Sequence, residues 1–252
     1  MRVGIFDSGV GGITVLETAK KLLPNVDYIY YSDNNHVPYG TKTKEEVLGY
    51  VKEIVELLVR EEVDAIVIAC NTATSIAVTE LRKLYSIPII GMEPAVKLAL
   101  SNHEKGDVLV TATPLTLKEA KFKSLVSSLG EKNRVKTLAL PELVTYAEEL
   151  NFDKDVIYKY LDNKLGGIDI NNLSAIVLGC THFVYFKKIF EDYLPEHIKI
   201  YDGNEGTIKH LKEVLGDNPG MHIKKIPQTD FYYSGKKCKD DTILNKYLKA
   251  LE

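Results

Sequence analysis

The sequence predicts an α/β protein made of two similar, pseudo-symmetric domains, each a mostly parallel sheet with helices packed on it. Three observations predict it. Short aliphatic runs alternate with stretches of helical periodicity along the chain, a pattern that sets strands side by side through right-handed helical crossovers. Two of these runs, Asp64-Ala-Ile-Val-Ile-Ala-Cys70-Asn71-Thr72 and Ser174-Ala-Ile-Val-Leu-Gly-Cys180-Thr181-His182, read as copies of one another. The interval from Asp7 to Cys70 nearly equals that from Thr113 to Cys180, and each of these four positions ends a strand-like run and opens a polar loop. An internal duplication accounts for all three.

The elements follow in order. Arg2-Val-Gly-Ile-Phe6 is the first predicted strand, ending in Asp7-Ser8-Gly9-Val10-Gly11-Gly12, and a helix is expected from Ile13 to Leu23, stopped by Pro24. Glycines at such a turn let backbone N–H groups approach an anion at the helix N-terminus. Asp27-Tyr-Ile-Tyr-Tyr31 is the second strand, leading into a polar loop that runs from Ser32 through Pro38-Tyr39-Gly40 to Thr41. Val47, Leu48, Val51, Ile54, Val55 and Leu58 share one helical face. After the first cysteine strand come a helix from about Ala73 to Leu84, the short strand Ile87–Ile90 and the loop Gly91-Met-Glu93-Pro94. Pro88 confines that strand to an edge or a first position. The second half opens with the strand Asp107–Thr111 and the loop Ala112-Thr113-Pro-Leu-Thr116, followed by a helix over Leu117–Leu129 and a strand near Thr137–Leu140. Glu148-Glu149 falls in helix or loop, and Val156–Leu165 is helical before the second cysteine strand. The tail carries a helical pattern to Leu215, a strand at Phe231–Tyr233 and a terminal helix. It is expected to return to the first domain, which gives domains of 1–93 plus 205–252 and of 94–204.

Composition narrows the function. Apolar residues at 45% and charged residues at 27% are those of a soluble globular chain with a full core. A net charge of −3 without any basic block argues against nucleic acid or a membrane surface as partner and favours a small-molecule substrate. Met1-Arg2 leads directly into a strand, and no apolar run approaches the ~18 residues of a membrane span, so a cytosolic protein is expected. Three cysteines are too few and too scattered for a disulfide framework, and no CxxC or Cys/His cluster suggests a metal site.

If Cys70 and Cys180 face one another across a cleft between the domains, a substrate there has a thiol on each side. Two like groups on opposite faces suit inversion of a stereocentre: one thiolate removes a proton and the other thiol returns one. A thiol serves both roles because its reference pKa, about 8.5, lies near neutrality and falls at a helix N-terminus. Plainer readings exist for each residue. A cysteine ending a strand is commonly a small buried hydrophobe. Asp7 and Ser8 could cap the following helix. His182 could be structural, although its place beside Cys180 suits it to assist that thiol. Glu148, paired with Glu149, fits a solvated helix face. Cys238, within Lys236-Lys-Cys-Lys239, lacks any such context.

Taken together, Asp7-Ser-Gly-Val-Gly-Gly12, Pro38-Tyr-Gly40, Ala69-Cys-Asn-Thr-Ala73, Ala112-Thr-Pro-Leu-Thr116 and Gly179-Cys-Thr-His182 resemble the motif set of the cofactor-independent glutamate racemases, in the family's order and across most of the chain. The resemblance implies two α/β domains with the active site between them. It also implies interconversion of L- and D-glutamate for bacterial peptidoglycan synthesis without a cofactor. By position, Cys70 and Cys180 would be the acid/base thiols, with Asp7 supporting the first and His182 the second. Ser8, Tyr39, Gly40, Asn71, Thr72, Thr113, Thr116 and Thr181 would hold the substrate, with Pro38, Asp7 and His182 beside them. The family's Pro-Leu-Val-Glu-like segment corresponds here to Leu143-Val-Thr-Tyr-Ala-Glu148-Glu149, with Glu148 the positional match and its neighbours altered. Family members often form homodimers, which leaves that assembly open here.

Other readings compete. Gly9-x-Gly11 after a strand, with Asp33 ending the next, resembles a dinucleotide fingerprint, but Thr14 replaces its third glycine. Cys70 and Cys180 could instead form a reversible redox pair. An aspartate racemase differs by one methylene in the pocket, worth only about 1–3 kcal/mol of discrimination.

Overall fold

A computed structural model describes residues 1–93, 95–217 and 226–251; Pro94, residues 218–225 and Glu252, all within the domain ranges given above, lie outside the described residues. The first half runs β1 (Arg2–Asp7), α1 (Ile13–Leu22), β2 (Asp27–Ser32), a 3₁₀ turn at Tyr39–Thr41, α2 (Lys44–Arg60), β3 (Ala65–Ile68), α3 (Asn71–Leu84) and β4 (Ile89–Gly91). The second runs α4 (Val96–Asn102), β5 (Asp107–Ala112), α5 (Pro114–Lys118), α6 (Ala120–Ser128), β6 (Val135–Ala139), α7 (Glu142–Glu148), α8 (Lys154–Leu165), β7 (Leu173–Leu178), a 3₁₀ turn at Thr181–Phe186, α9 (Lys187–Tyr193) and β8 (Lys199–Asp202). The tail adds α10 (Asn204–Leu215), β9 (Thr229–Tyr233), β10 (Lys236–Lys237) and α11 (Thr242–Lys249).

Two sheets result, with strand orders β10-β9-β2-β1-β3-β4 and β6-β5-β7-β8. Apart from the β9–β10 hairpin every pairing is parallel. Stripped of β9 and β10, the first sheet follows the same second-first-third-fourth order as the second. The strands that end at Cys70 and Cys180 therefore hold equivalent places, each beside the first strand of its half. In the tail, β9 pairs with β2, Tyr30 facing Phe231 in register.

Alternation along the strands explains the layering. Successive side chains of a strand point to opposite faces, so Val3 and Ile5 enter one core while Phe6 enters another with Ile66 and Ile68. The latter core receives the stripe of α2, where Val47, Val51, Ile54, Val55 and Leu58 are buried; each such side chain contributes roughly 1.5–3 kcal/mol. A Thr43/Glu46 capping box starts that helix by satisfying free N–H groups at its first turn. The other core continues from α1 into the second half, joining Ile13 and Leu16 to Phe183 and Phe186. Shared apolar packing thus holds the two sheets' loops against each other.

Pro88 precedes β4, which is an edge strand. One element differs from expectation. The helix anticipated over Leu117–Leu129 is broken at Glu119, which is extended (φ −65°, ψ 139°) between α5 and α6. Its carboxylate is buried and paired with Lys44 Nζ of α2 at 2.9 Å. A long-range ion pair outweighs local helical preference there. Among the described residues no helix is long and apolar enough to cross a membrane.

Candidate active site

The carboxyl ends of β1, β3, β5 and β7 converge on one small cavity. From the first half it is lined by Ser8, Pro38, Tyr39, Gly40, Cys70, Asn71 and Thr72; from the second, by Thr113, Val144, Cys180, Thr181 and His182. Motifs far apart in sequence therefore meet in one place. Asp7, Thr116 and Glu148 are not among its lining residues; each stands behind one that is. Val144, within the stretch that corresponds to the family's Pro-Leu-Val-Glu-like segment, is a wall residue that was not singled out in the sequence.

Cys70 leaves β3 in extended conformation and caps α3, its Sγ accepting from the Ala73 N–H at 3.4 Å. The helix N-terminus favours a thiolate there. Against this, burial first and the Asp7 carboxylate second push the Cys70 thiol well up from its usual value. The Cys70 thiol donates to Ser8 Oγ at 3.8 Å.

The Cys180 side is built differently. His182 Nδ1 lies 3.8 Å from Cys180 Sγ, and His182 Nε2 lies 2.6 Å from Glu148 Oε1. Burial alone would depress the imidazole, but its hydrogen bonds to Cys180 and Glu148 raise it well above an ordinary histidine. The raised imidazole lies within reach of the Cys180 sulfur. The two walls thus differ: a thiol raised by burial on one, a raised imidazole beside the other thiol.

Asp7 stands between the two. Its Oδ2 accepts from the Gly12 N–H at 2.9 Å, the Thr181 hydroxyl donates to it at 3.3 Å, and His182 Nδ1 is 4.0 Å away. Burial raises its carboxyl, an effect that His182 opposes. Asp7 therefore touches the Cys180 side as well as influencing Cys70. Thr72 and Thr113 close the far wall with Thr116 behind them: Thr72 Oγ1 is 3.0 Å from the hydroxyls of Thr113 and Thr116, which are 2.9 Å from each other. Each carries one proton and two lone pairs, so the ring can turn its protons toward an incoming carboxylate.

The glycine-rich loop has another use than the sequence suggested. Its N–H groups do meet anions, but the anions are the protein's own: Gly12 donates to Asp7, and Val10 donates to Glu148 Oε1 at 2.8 Å. A Cβ at Gly11 would lie 2.4 Å from His182 Nδ1, so its absence seats the second half's loop. Asp33, the acidic residue of the dinucleotide reading, instead accepts from the Tyr39 hydroxyl at 2.6 Å and faces His36 Nδ1 at 2.9 Å. Sequence reasoning passed over Asp33 as a brace for Tyr39, and over Asn34, which donates to Glu148 Oε2 at 2.9 Å. A polar loop out of proportion to its neighbours was the one signal for both. Cys238 lies on the tail hairpin, its N–H bonded to Phe231 O at 2.7 Å, outside this cavity. Among the described residues no cluster of three His, Cys, Asp or Glu side chains could hold a metal ion.

The family model for Asp/Glu/hydantoin racemases matches residues 14–211. The chain belongs to that family. This family member is 51% identical over 255 residues to the glutamate racemase of Halothermothrix orenii, covering all of this chain and 99% of that one. Glutamate racemase 2 of Bacillus subtilis is 46% identical, with 100% and 96% covered. In structure it resembles the glutamate racemase of Francisella tularensis, solved in complex with D-glutamate, at a TM-score of 0.83 and 28% identity, covering 98% of this chain and 93% of that one. The two-domain racemase architecture and this chain's pair of sheets agree.

Proposed function

We propose that this chain is a glutamate racemase that interconverts L- and D-glutamate through two thiols and supplies D-glutamate for peptidoglycan. The observation that carries the reading is the pair of cysteines at equivalent strand ends, both lining one cavity between the two halves. Likeness to relatives that are racemases of glutamate supports the substrate.

The roles follow from the geometry. Hydroxyl and amide donors from Ser8, Asn71, Thr72, Thr113 and Thr181, with Tyr39 and Gly40 closing the loop, hold the two carboxylates and the amino group. Cys180, as thiolate beside the His182 imidazolium, takes the Cα proton from one face. The Cys70 thiol delivers a proton to the other. In the reverse direction Cys70 must be the base, and the substrate ammonium supplies a cation beside it. Glu148 orients His182, and Asp7 spans both sides. A thiol raised by burial, such as Cys70, is the opposite of the low-pKa exposed cysteine that a redox switch requires.

The proposed setting is the cytoplasm. The family's homodimer and the division into 1–93 plus 205–252 and 94–204 are carried over with the reading. The test is incubation with each glutamate enantiomer in deuterated water. Deuterium is expected at Cα of the inverted product, and turnover is expected to vanish in both Cys70→Ala and Cys180→Ala. Full activity in either variant would sink the two-thiol mechanism, and faster turnover of aspartate would reassign the substrate.

A further inference from the structure

Asn34 does not line the cavity, yet it ties the two halves together behind it. Its Nδ2 donates to Glu148 Oε2 at 2.9 Å, and its Oδ1 accepts from the Ser32 hydroxyl. That orientation is dictated by chemistry, since an ionised carboxylate only accepts hydrogen bonds. The other Glu148 oxygen receives the Val10 N–H at 2.8 Å and faces His182 Nε2 at 2.6 Å. So a carboxylate at the end of α7, in the second half, is clamped by two donors from the first. Gly9 completes the clamp: a Cβ there would lie 1.9 Å from Glu148 Oε1.

The clamp is neutral, which matters. The ionisable groups around Glu148 are His182, Asp7 of β1, Tyr30 of β2, Tyr185 of the 3₁₀ turn, Tyr233 of β9 and Tyr247 of α11. His182 is the only one of these that can be a cation. An amide and a backbone N–H fix the carboxylate without competing for its charge. A lysine or arginine in place of Asn34 would divert it.

We propose that Asn34 is a positioning residue which, by holding Glu148 against His182 from the opposite half of the chain, makes acid/base action at Cys180 depend on contact between the halves. The inference rests on the racemase reading above. Its consequence is one-sided. For the enantiomer whose Cα proton faces Cys70, abstraction still proceeds, leaving a carbanion that awaits the Cys180 proton. If His182 is loose, that delivery slows, and the Cys70 thiol returns a proton to the face it left. During that delay the Cys70 S–H exchanges its hydrogen for solvent deuterium, so the returned atom is deuterium and the substrate is labelled without being inverted. For the other enantiomer, abstraction itself is slowed and no such label enters.

The experiment compares wild type, Asn34→Ala and Asn34→Asp, each as the full chain, on both glutamate enantiomers in deuterated water. Turnover should fall roughly 10- to 100-fold in Asn34→Ala, the worth of a hydrogen bond to a charged group, with KM little changed. Asn34→Asp, which repels Glu148, should fall at least as far. In both, deuterium should accumulate in uninverted substrate for one enantiomer only. Equal exchange-to-inversion ratios for both enantiomers, or a raised KM with unchanged kcat, would overturn the proposal. Should Asn34→Ala fail to fold, Gly9→Ala displaces Glu148 from its other side and must show the same one-sided label. A wild type that racemises aspartate but not glutamate, or neither, fails the functional reading instead.

Discussion

Gly11→Ala tests whether the two halves must meet as closely as they do. The added methyl would lie 2.4 Å from His182 Nδ1, 2.5 Å from Thr181 Oγ1 and 2.7 Å from the His182 backbone nitrogen, where ordinary contact begins at 3.4 Å. Because backbone is among the obstacles, a side-chain rotation cannot relieve the clash, and the loop carrying Cys180 must retreat by about 1 Å. A misplacement of that size at reacting groups costs about 10²-fold in rate. Overpacking of this kind costs about 1–3 kcal/mol in stability. Racemisation and Cα deuterium exchange measure the first, and urea unfolding the second. Gly49→Ala is the control, since its Cβ would meet nothing within 4 Å on the surface of α2. It should leave activity intact and stabilise the fold by about 0.4–1 kcal/mol. A Gly11→Ala enzyme with wild-type rate and unfolding midpoint would refute the claim that this glycine seats the second half.

Two further outcomes are expected. Glu148→Gln removes the charge that holds the His182 proton, so the imidazole should titrate lower, as read by NMR of its ring protons. The stability linkage has a defined sign: a raised histidine stabilises the fold fully below 6.5 and loses that contribution as pH climbs through its raised folded value. In Glu148→Gln this alkaline loss should shift to lower pH, and an unshifted profile of stability against pH would contradict the pairing. The kcat of the two directions should also differ in pH dependence. The enantiomers have equal free energy, so kcat/KM must be identical both ways at every pH, and any asymmetry appears in kcat. The direction that begins with Cys70 as base should keep gaining rate through neutral and mildly alkaline pH, because burial and Asp7 hold its proton. Superimposable kcat profiles would count against unequal support of the two thiols.

Much of this was legible from local pattern. Strand and helix alternation, the apolar stripe of α2 and the edge place of β4 are consequences of periodicity and of proline's missing N–H, which act within a few residues. The helix break at Glu119 was not legible, because its partner Lys44 lies on another element. Glu148 looked like half of a solvated pair, and nothing adjacent to it in sequence says that Val10, Asn34 and His182 converge on its carboxylate.

By itself, then, the amino-acid order marked the residues to which the proposed chemistry is assigned. It set two thiols at the ends of two equivalent strands, and glycines and hydroxyls in the loops that follow. Only the tertiary structure decided what each thiol feels. Burial and Asp7 raise the Cys70 thiol, while Cys180 faces a histidine held by a carboxylate that the other half clamps. Proton affinity depends on charges and donors a few ångströms away in space, and in this fold those neighbours come from the opposite half of the chain.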